Sequence, residues 1–114
     1  MQVDGKANIL VVDDNPAKRL AIRSMLEDLN QNVVTAESGQ DALRLLLSNE
    51  YAVIVMDVQM PTMDGFETAA LIRSRKQSEV TPIIFVTAYA RAETDMVQGY
   101  SHAPVDYVFT HIIP

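Results

Sequence analysis

IVMDVQMPTMDG, running from Ile54 to Gly65, decides how the chain is read. Three apolar residues lead straight into a carboxylate, Asp57. An apolar strand gains by excluding water, whereas an ionised carboxylate beside it loses free energy unless it is paired. That placement needs a reward from residues elsewhere in the chain. Further along, Asp64-Gly65 reads as a turn followed by a helix start, a structural duty.

Outward from this stretch, two kinds of segment alternate, and their periods differ. Ile9-Leu10-Val11-Val12 is a short β-branched run bounded by polar residues, and the span Pro16 to Leu29 places Leu20, Met25, Leu26 and Leu29 at helical spacing. Asn15-Pro16 supplies the helix start, since a proline in the first turn gives up an N–H that would have no partner. The alternation repeats: a strand over Asn32 to Ala36, then a helix over Gly39 to Ser48 with Ala42, Leu43, Leu46 and Leu47 on one side. A strand over Ala52 to Met56 is followed by a helix from Phe66 to Arg75 with Ala69, Ala70 and Ile72 inward. Pro82 to Val86 is a fourth strand, Glu93 to Tyr100 a helix and Val105 to Phe109 a fifth strand. Continuous rather than alternating apolar strands point to burial on both faces, so the reading is a doubly wound α/β domain with a parallel sheet.

Composition narrows the function classes. With 114 residues the chain has room for one domain with a real core. Its 48% hydrophobic and 21% charged residues fit a globular fold rather than disorder. The longest apolar runs, such as Ile83 to Val86, are far too short to cross a bilayer, so no membrane insertion is expected. A net charge of −6 argues against a nucleic-acid surface, which would cluster Lys and Arg. Without cysteine there is neither a disulfide nor a thiolate metal site. The start MQVDGKA lacks the basic and apolar regions of a signal peptide, which leaves a cytoplasmic domain as the expectation.

In an open parallel sheet, ligands bind beyond the carboxyl ends of the strands. Asp13 and Asp14 follow the first strand and Asp57 closes the third, so the three converge on one edge. Converging carboxylates repel and raise one another's pKa, and a hard divalent ion such as Mg2+ relieves this with oxygen ligands alone. Each member also has a plainer role. Paired Asp residues before a helix serve as caps, and Thr87 at the end of the fourth strand can satisfy backbone groups. The combination carries the weight.

Taken together, VVDDNP, VMDVQMPTMDG, FVTA and VDYVF make the chain resemble the receiver domain of two-component response regulators over essentially its whole length. The similarity is nearest to receivers of hybrid sensor kinases and multidomain regulators. The resemblance implies a flavodoxin-like, five-stranded parallel sheet in the order 2-1-3-4-5, and a single receiver domain over residues 1–114. It implies that Asp57 is a phosphoacceptor for a phosphohistidine on a histidine kinase or a histidine phosphotransfer domain. Asp14, Asp57 and the backbone carbonyl of Gln59 would hold Mg2+ directly and Asp13 through water. Thr87 would hydrogen-bond the phosphoryl oxygen, and Tyr107 would turn inward when Thr87 moves. Such a domain is a switch, at most phosphorylating and dephosphorylating itself, and not a turnover enzyme.

The chain departs from the family's pattern after the fifth strand. The family places a Lys there, usually followed by Pro, where this chain has Thr110 and His111. Three carboxylates and Mg2+ sum to about −1, which a Lys would bring near zero. A threonine hydroxyl can donate a hydrogen bond but carries no charge; His111 is the nearest substitute cation. The Lys-Pro bond is typically cis in the family, and a cis bond before His111 would cost about 2.5–4 kcal/mol, so Thr110-His111 is expected to be trans. Ala103-Pro104 stiffens the turn before the last strand, and Gln59 and Tyr89 stand where the family tunes phosphoryl lifetime, with Tyr89 expected to hinder an attacking water. The fifth helix usual in the family is missing from this chain, which would leave the last strand an apolar patch that favours association, a homodimer included. A larger protein cut after the fifth strand, with its output domains in the absent part, is the expectation.

Two other function classes compete. Thr110 favours a pseudo-receiver that serves as a protein-interaction module. A Mg2+-dependent phosphohydrolase would want its nucleophile after the first strand in a DxDxT-like motif, which Asp13-Asp14-Asn15 does not fit.

Overall fold

The computed structural model describes residues 6–87 and the strand 105–109. The expected helix Glu93 to Tyr100, Tyr89, Ala103-Pro104 and the Thr110-His111 bond lie outside the described residues, as do the side chains of Thr87 and of Tyr107.

Strands β1 (Asn8–Val12), β2 (Asn32–Ala36), β3 (Val53–Asp57) and β4 (Ile83–Thr87) form a parallel sheet in the order β2-β1-β3-β4, with helices α1 (Pro16–Glu27), α2 (Gly39–Leu46) and α3 (Gly65–Arg73) connecting them. Beyond β4 the backbone of β5 (Val105–Phe109) runs parallel to it, with Ile83 opposite Val105 and Thr87 opposite Phe109. The inner strands β1 and β3 are short apolar runs because neither of their faces meets water. Leu10 and Val12 pack with Ile54, Met56, Ile83 and Phe85 on the face covered by α2 and α3. Ile9, Val11, Val55 and Val86 point the other way and pack with Ile22 of α1. Side chains alternate across a strand, so one run feeds both cores. Each fully buried Leu, Ile or Phe contributes roughly 1.5–3 kcal/mol of transfer free energy.

Each of the three described α-helices is capped at its start by a side chain. Asn15 accepts from the Lys18 backbone N–H and Ser38 from that of Asp41, each at 3.0 Å. At α3 the Asp64 carboxylate accepts from the Glu67 N–H at 2.8 Å while Glu67 accepts from the Asp64 N–H at 2.9 Å, a reciprocal capping box. The structural role expected of Asp64-Gly65 is thus met.

Three expectations about helix faces are corrected. Of the four apolar residues expected on α1, Leu26 packs against the sheet, whereas Leu20, Met25 and Leu29 are exposed at 64%, 62% and 58%, and Ile22 supplies the buried contact. Leu47 lies beyond the end of α2 and is exposed, and Ala70 faces outward on α3. The cause is the same each time: apolar residues outnumber the positions a narrow helical stripe can bury. The strand around the acidic residue also runs one position later than expected, from Val53 to Asp57, so Asp57 is itself in the ladder opposite Val86. No described helix is long and apolar enough to cross a membrane.

Candidate functional site

The carboxyl edge of the sheet gathers the acidic residues. β1 ends at Val12, so Asp13 and Asp14 fall in the turn that leads to α1, and β3 delivers Asp57 next to them. One carboxylate oxygen from each of Asp13, Asp14 and Asp57 lies within 4.8 Å of the other two. Asp13 is 1% exposed and Asp57 8%, while Asp14 is open to solvent.

Asp13 is held in place from several directions. Its backbone N–H donates to the Ala36 carbonyl at 3.1 Å, and its carbonyl accepts from Arg19 Nη1 at 2.8 Å. Oδ1 accepts from the Asn15 backbone N–H at 2.9 Å. Oδ2 is buried without a hydrogen-bond partner. A buried carboxylate oxygen left with free lone pairs beside two more carboxylates is what a hard cation seeks, and all the donors are oxygen. The residues present therefore fit Mg2+.

Burial pushes the Asp57 carboxyl above its ordinary range, the charge of Asp13 pushes it further, and Lys18 pulls against both. Lys18 is the residue that sequence reasoning missed. Its Nζ lies 3.1 Å from Asp57 Oδ1, to which it donates a hydrogen bond, and 3.5 Å from Asp13 Oδ2. Burial alone lowers the pKa of Lys18, yet the charges of Asp57 and Asp13, with the hydrogen bond to Asp57, together leave it raised. The available signal was positional: a lysine three residues after the N-cap of the helix that follows Asp13-Asp14 stands over the same sheet edge.

After Asp57 the chain forms a loop whose residues Val58, Gln59, Met60, Pro61 and Asp64, with Phe66, line an open cleft next to the acidic cluster. Gln59 is exposed there. Thr62 has φ 71°, and the Met63 N–H donates to the Pro61 carbonyl at 2.7 Å, which makes Thr62 the centre of a tight three-residue turn. The structure thus brings together Asp13, Asp14 and Asp57, and places Gln59 on the adjoining loop. The backbone of Thr87 ends β4 and that of Tyr107 lies in β5, whereas Thr110 is outside the described residues.

The sequence profile of the response regulator receiver domain matches residues 9–112. The transcriptional regulatory protein SrrA of Staphylococcus aureus is 37% identical over 106 residues, which is 93% of this chain and 42% of SrrA, so the chain spans less than half of that relative. Among solved structures, the response regulator protein TrrA from Thermotoga maritima, in complex with Mg2+ and BeF, is similar with a TM-score of 0.81 at 33% identity, over 94% of this chain and 89% of TrrA. The receiver domain of sensor histidine kinase PA1611 from Pseudomonas aeruginosa, with a magnesium ion coordinated in its active-site cleft, gives a TM-score of 0.82 at 29% identity, over 93% of this chain and 86% of that one. With its sheet order, its acidic edge and this match along 9–112 in agreement, the chain belongs to the response regulator receiver domains, signalling domains of two-component systems rather than turnover enzymes.

Proposed function

We propose that this domain takes a phosphoryl group onto Asp57 from a phosphohistidine carried by a histidine kinase or a histidine phosphotransfer domain. The observation that carries the reading is a buried, strand-terminal carboxylate with Asp13 and Asp14 within 4.8 Å at the open edge of a parallel sheet. Similarity to two receivers solved with magnesium supports it.

In the transfer a carboxylate oxygen of Asp57 bonds to phosphorus. The P–N bond breaks, and its electron pair stays on the imidazole nitrogen of the donor. What the chain contributes is position and compensation of charge. Asp14, Asp57 and the carbonyl of Gln59 would hold Mg2+ directly and Asp13 through water, and the ion, when bound, would supply charge neutralisation at the phosphoryl oxygens. Thr87 hydrogen-bonds a phosphoryl oxygen, and Tyr107 turns inward as Thr87 moves. Tyr89 shields the product from water and slows self-dephosphorylation. The chain acts as one cytoplasmic signalling domain.

The test is incubation with phosphoramidate and Mg2+, read as intact mass. A single phosphoryl adduct that is absent from Asp57→Asn supports the reading. A second reading, a receiver that binds partners without accepting phosphoryl, is favoured by the uncharged Thr110. Absence of the adduct in a folded sample would favour that reading.

A further inference from the structure

The acidic edge holds three carboxylates, and a phosphoryl group adds more negative charge to it. Position 110, where the resemblance puts a lysine, is a threonine without charge. Among the described residues, Lys18 is the cation that pairs with this cluster, reaching both Asp57 Oδ1 and Asp13 Oδ2. Arg19, its neighbour, gives Nη1 to the backbone carbonyl of Asp13.

The placement of Lys18 runs against local preference. It occupies the first turn of α1, which has no acidic residue, and the positive end of a helix dipole disfavours a cation there. An exposed lysine at that position would point into water. Instead its side chain is only 29% exposed and its ammonium is turned onto two carboxylates that are 1% and 9% exposed. Such a contact differs from a solvated surface pair, because removing Lys18 leaves two buried carboxylates without their cation.

We propose that Lys18 is the cation of the phosphoacceptor site, a catalytic residue supplied from α1 in place of a lysine after β5. The inference rests on the reading of Asp57 as the acceptor. An ammonium has three N–H donors, of which one is given to Asp57, so others remain for incoming phosphoryl oxygens. During transfer one Asp57 oxygen bonds to phosphorus, the bond from phosphorus to the donor's leaving nitrogen breaks, and the electron pair leaves with that nitrogen. Lys18 keeps its proton throughout, and its hydrogen bonds shift from carboxylate to phosphoryl oxygen. A positive charge already seated on Asp57 and Asp13 must also weaken the binding of a second cation there. Catalysis and metal affinity therefore respond to Lys18 in opposite directions.

That opposition defines the experiment. In the 114-residue chain, Lys18→Met removes the charge and keeps the length of the side chain, while Lys18→Arg keeps the charge. Two quantities are read: the initial rate of phosphoryl adduct formation from phosphoramidate at saturating Mg2+, and the Mg2+ affinity by calorimetry without phosphodonor. Thermal melts confirm that each variant is folded. The expected result for Lys18→Met is a rate lowered about ten- to hundredfold, the equivalent of one charge-assisted hydrogen bond, with Mg2+ bound about three- to tenfold more tightly. Lys18→Arg should stay near the parent in both. An unchanged rate in Lys18→Met, or an affinity that is unchanged or weaker, overturns the proposal, and a fall in both quantities marks Lys18 as merely structural. If the parent itself gains no adduct, the acceptor reading fails first. The proposed role fails with it, and the Mg2+ titration then reports only whether Lys18 is the cation of the cluster.

Discussion

Gly65 lies so close to the backbone of Asp57 that a Cβ at Gly65 would sit 2.3 Å from the Asp57 carbonyl oxygen and 3.0 Å from the Cα of Val58. The Gly65 N–H also donates to the Val58 carbonyl at 2.8 Å. The start of α3 is thereby pressed onto the end of β3, and the loop between them folds back over the acidic edge.

Gly65→Ala should therefore cost about 1–3 kcal/mol, the usual range for forcing a methyl group into a packed site, because the obstacle is backbone and cannot rotate away. Denaturant unfolding measures it. A change below about 0.5 kcal/mol, the level of an ordinary surface substitution, would show that the contact relaxes freely.

The loop itself stores strain. Thr62 is a β-branched residue at φ 71°, a region that costs about 1–2 kcal/mol for residues with a Cβ. Thr62→Gly should raise stability by about 0.5–1 kcal/mol, the relief of strain being partly offset by the greater freedom of glycine in the unfolded chain. A loss of stability in the same unfolding experiment would show that Thr62 makes contacts worth more than its backbone costs.

On α1 the decision between faces can be put to a direct comparison. Ile22 is buried against Val11, Val55 and Val86, and Leu20 is 64% exposed. Ile22→Ala should cost about 2–4 kcal/mol and Leu20→Ala less than about 0.5 kcal/mol. Equal costs would mean that the helix rolls to bury the other stripe.

These residues also mark what the sequence made legible. The inner strands were readable because burial on both faces leaves an unbroken apolar run, and the edge strand β2 has the expected bounds. The convergence of Asp13, Asp14 and Asp57 was readable because sheet topology alone brings those strand ends together. The face of α1 was readable only in part: Leu26 does pack against the sheet, but Leu20, Met25 and Leu29 are exposed, and Ile22, four residues before Leu26, supplies the buried contact. Spacing identifies a stripe, but only the twist of the sheet selects which stripe meets it. Lys18 was missed for a related reason: a long side chain reaches across space to a partner, Asp57, 39 residues away in sequence, and no periodicity records that.

The charge of Asp57 should be visible in stability. Burial, reinforced by the charge of Asp13, raises its pKa above 3.8 in the folded chain despite Lys18. The native state then holds a proton to higher pH than the unfolded state. Stability contributed by this group is present at low pH and falls as pH rises from about the unfolded value through the folded one. At neutral pH the ionised carboxylate is a net cost to the metal-free fold, even with its partner in place. Asp57→Asn removes that cost, so in buffer with a chelator it should melt above the parent at pH 7, and the difference should shrink as pH is lowered toward 3.8, the unperturbed value. Mg2+ should raise the parent's melting temperature more than the variant's, since the variant lacks one of the three carboxylates. Thermal melts across pH, with and without Mg2+, check all of this. A variant that melts at or below the parent at pH 7 in chelator would mean that Lys18 and Asp57 together outweigh the burial of the carboxylate.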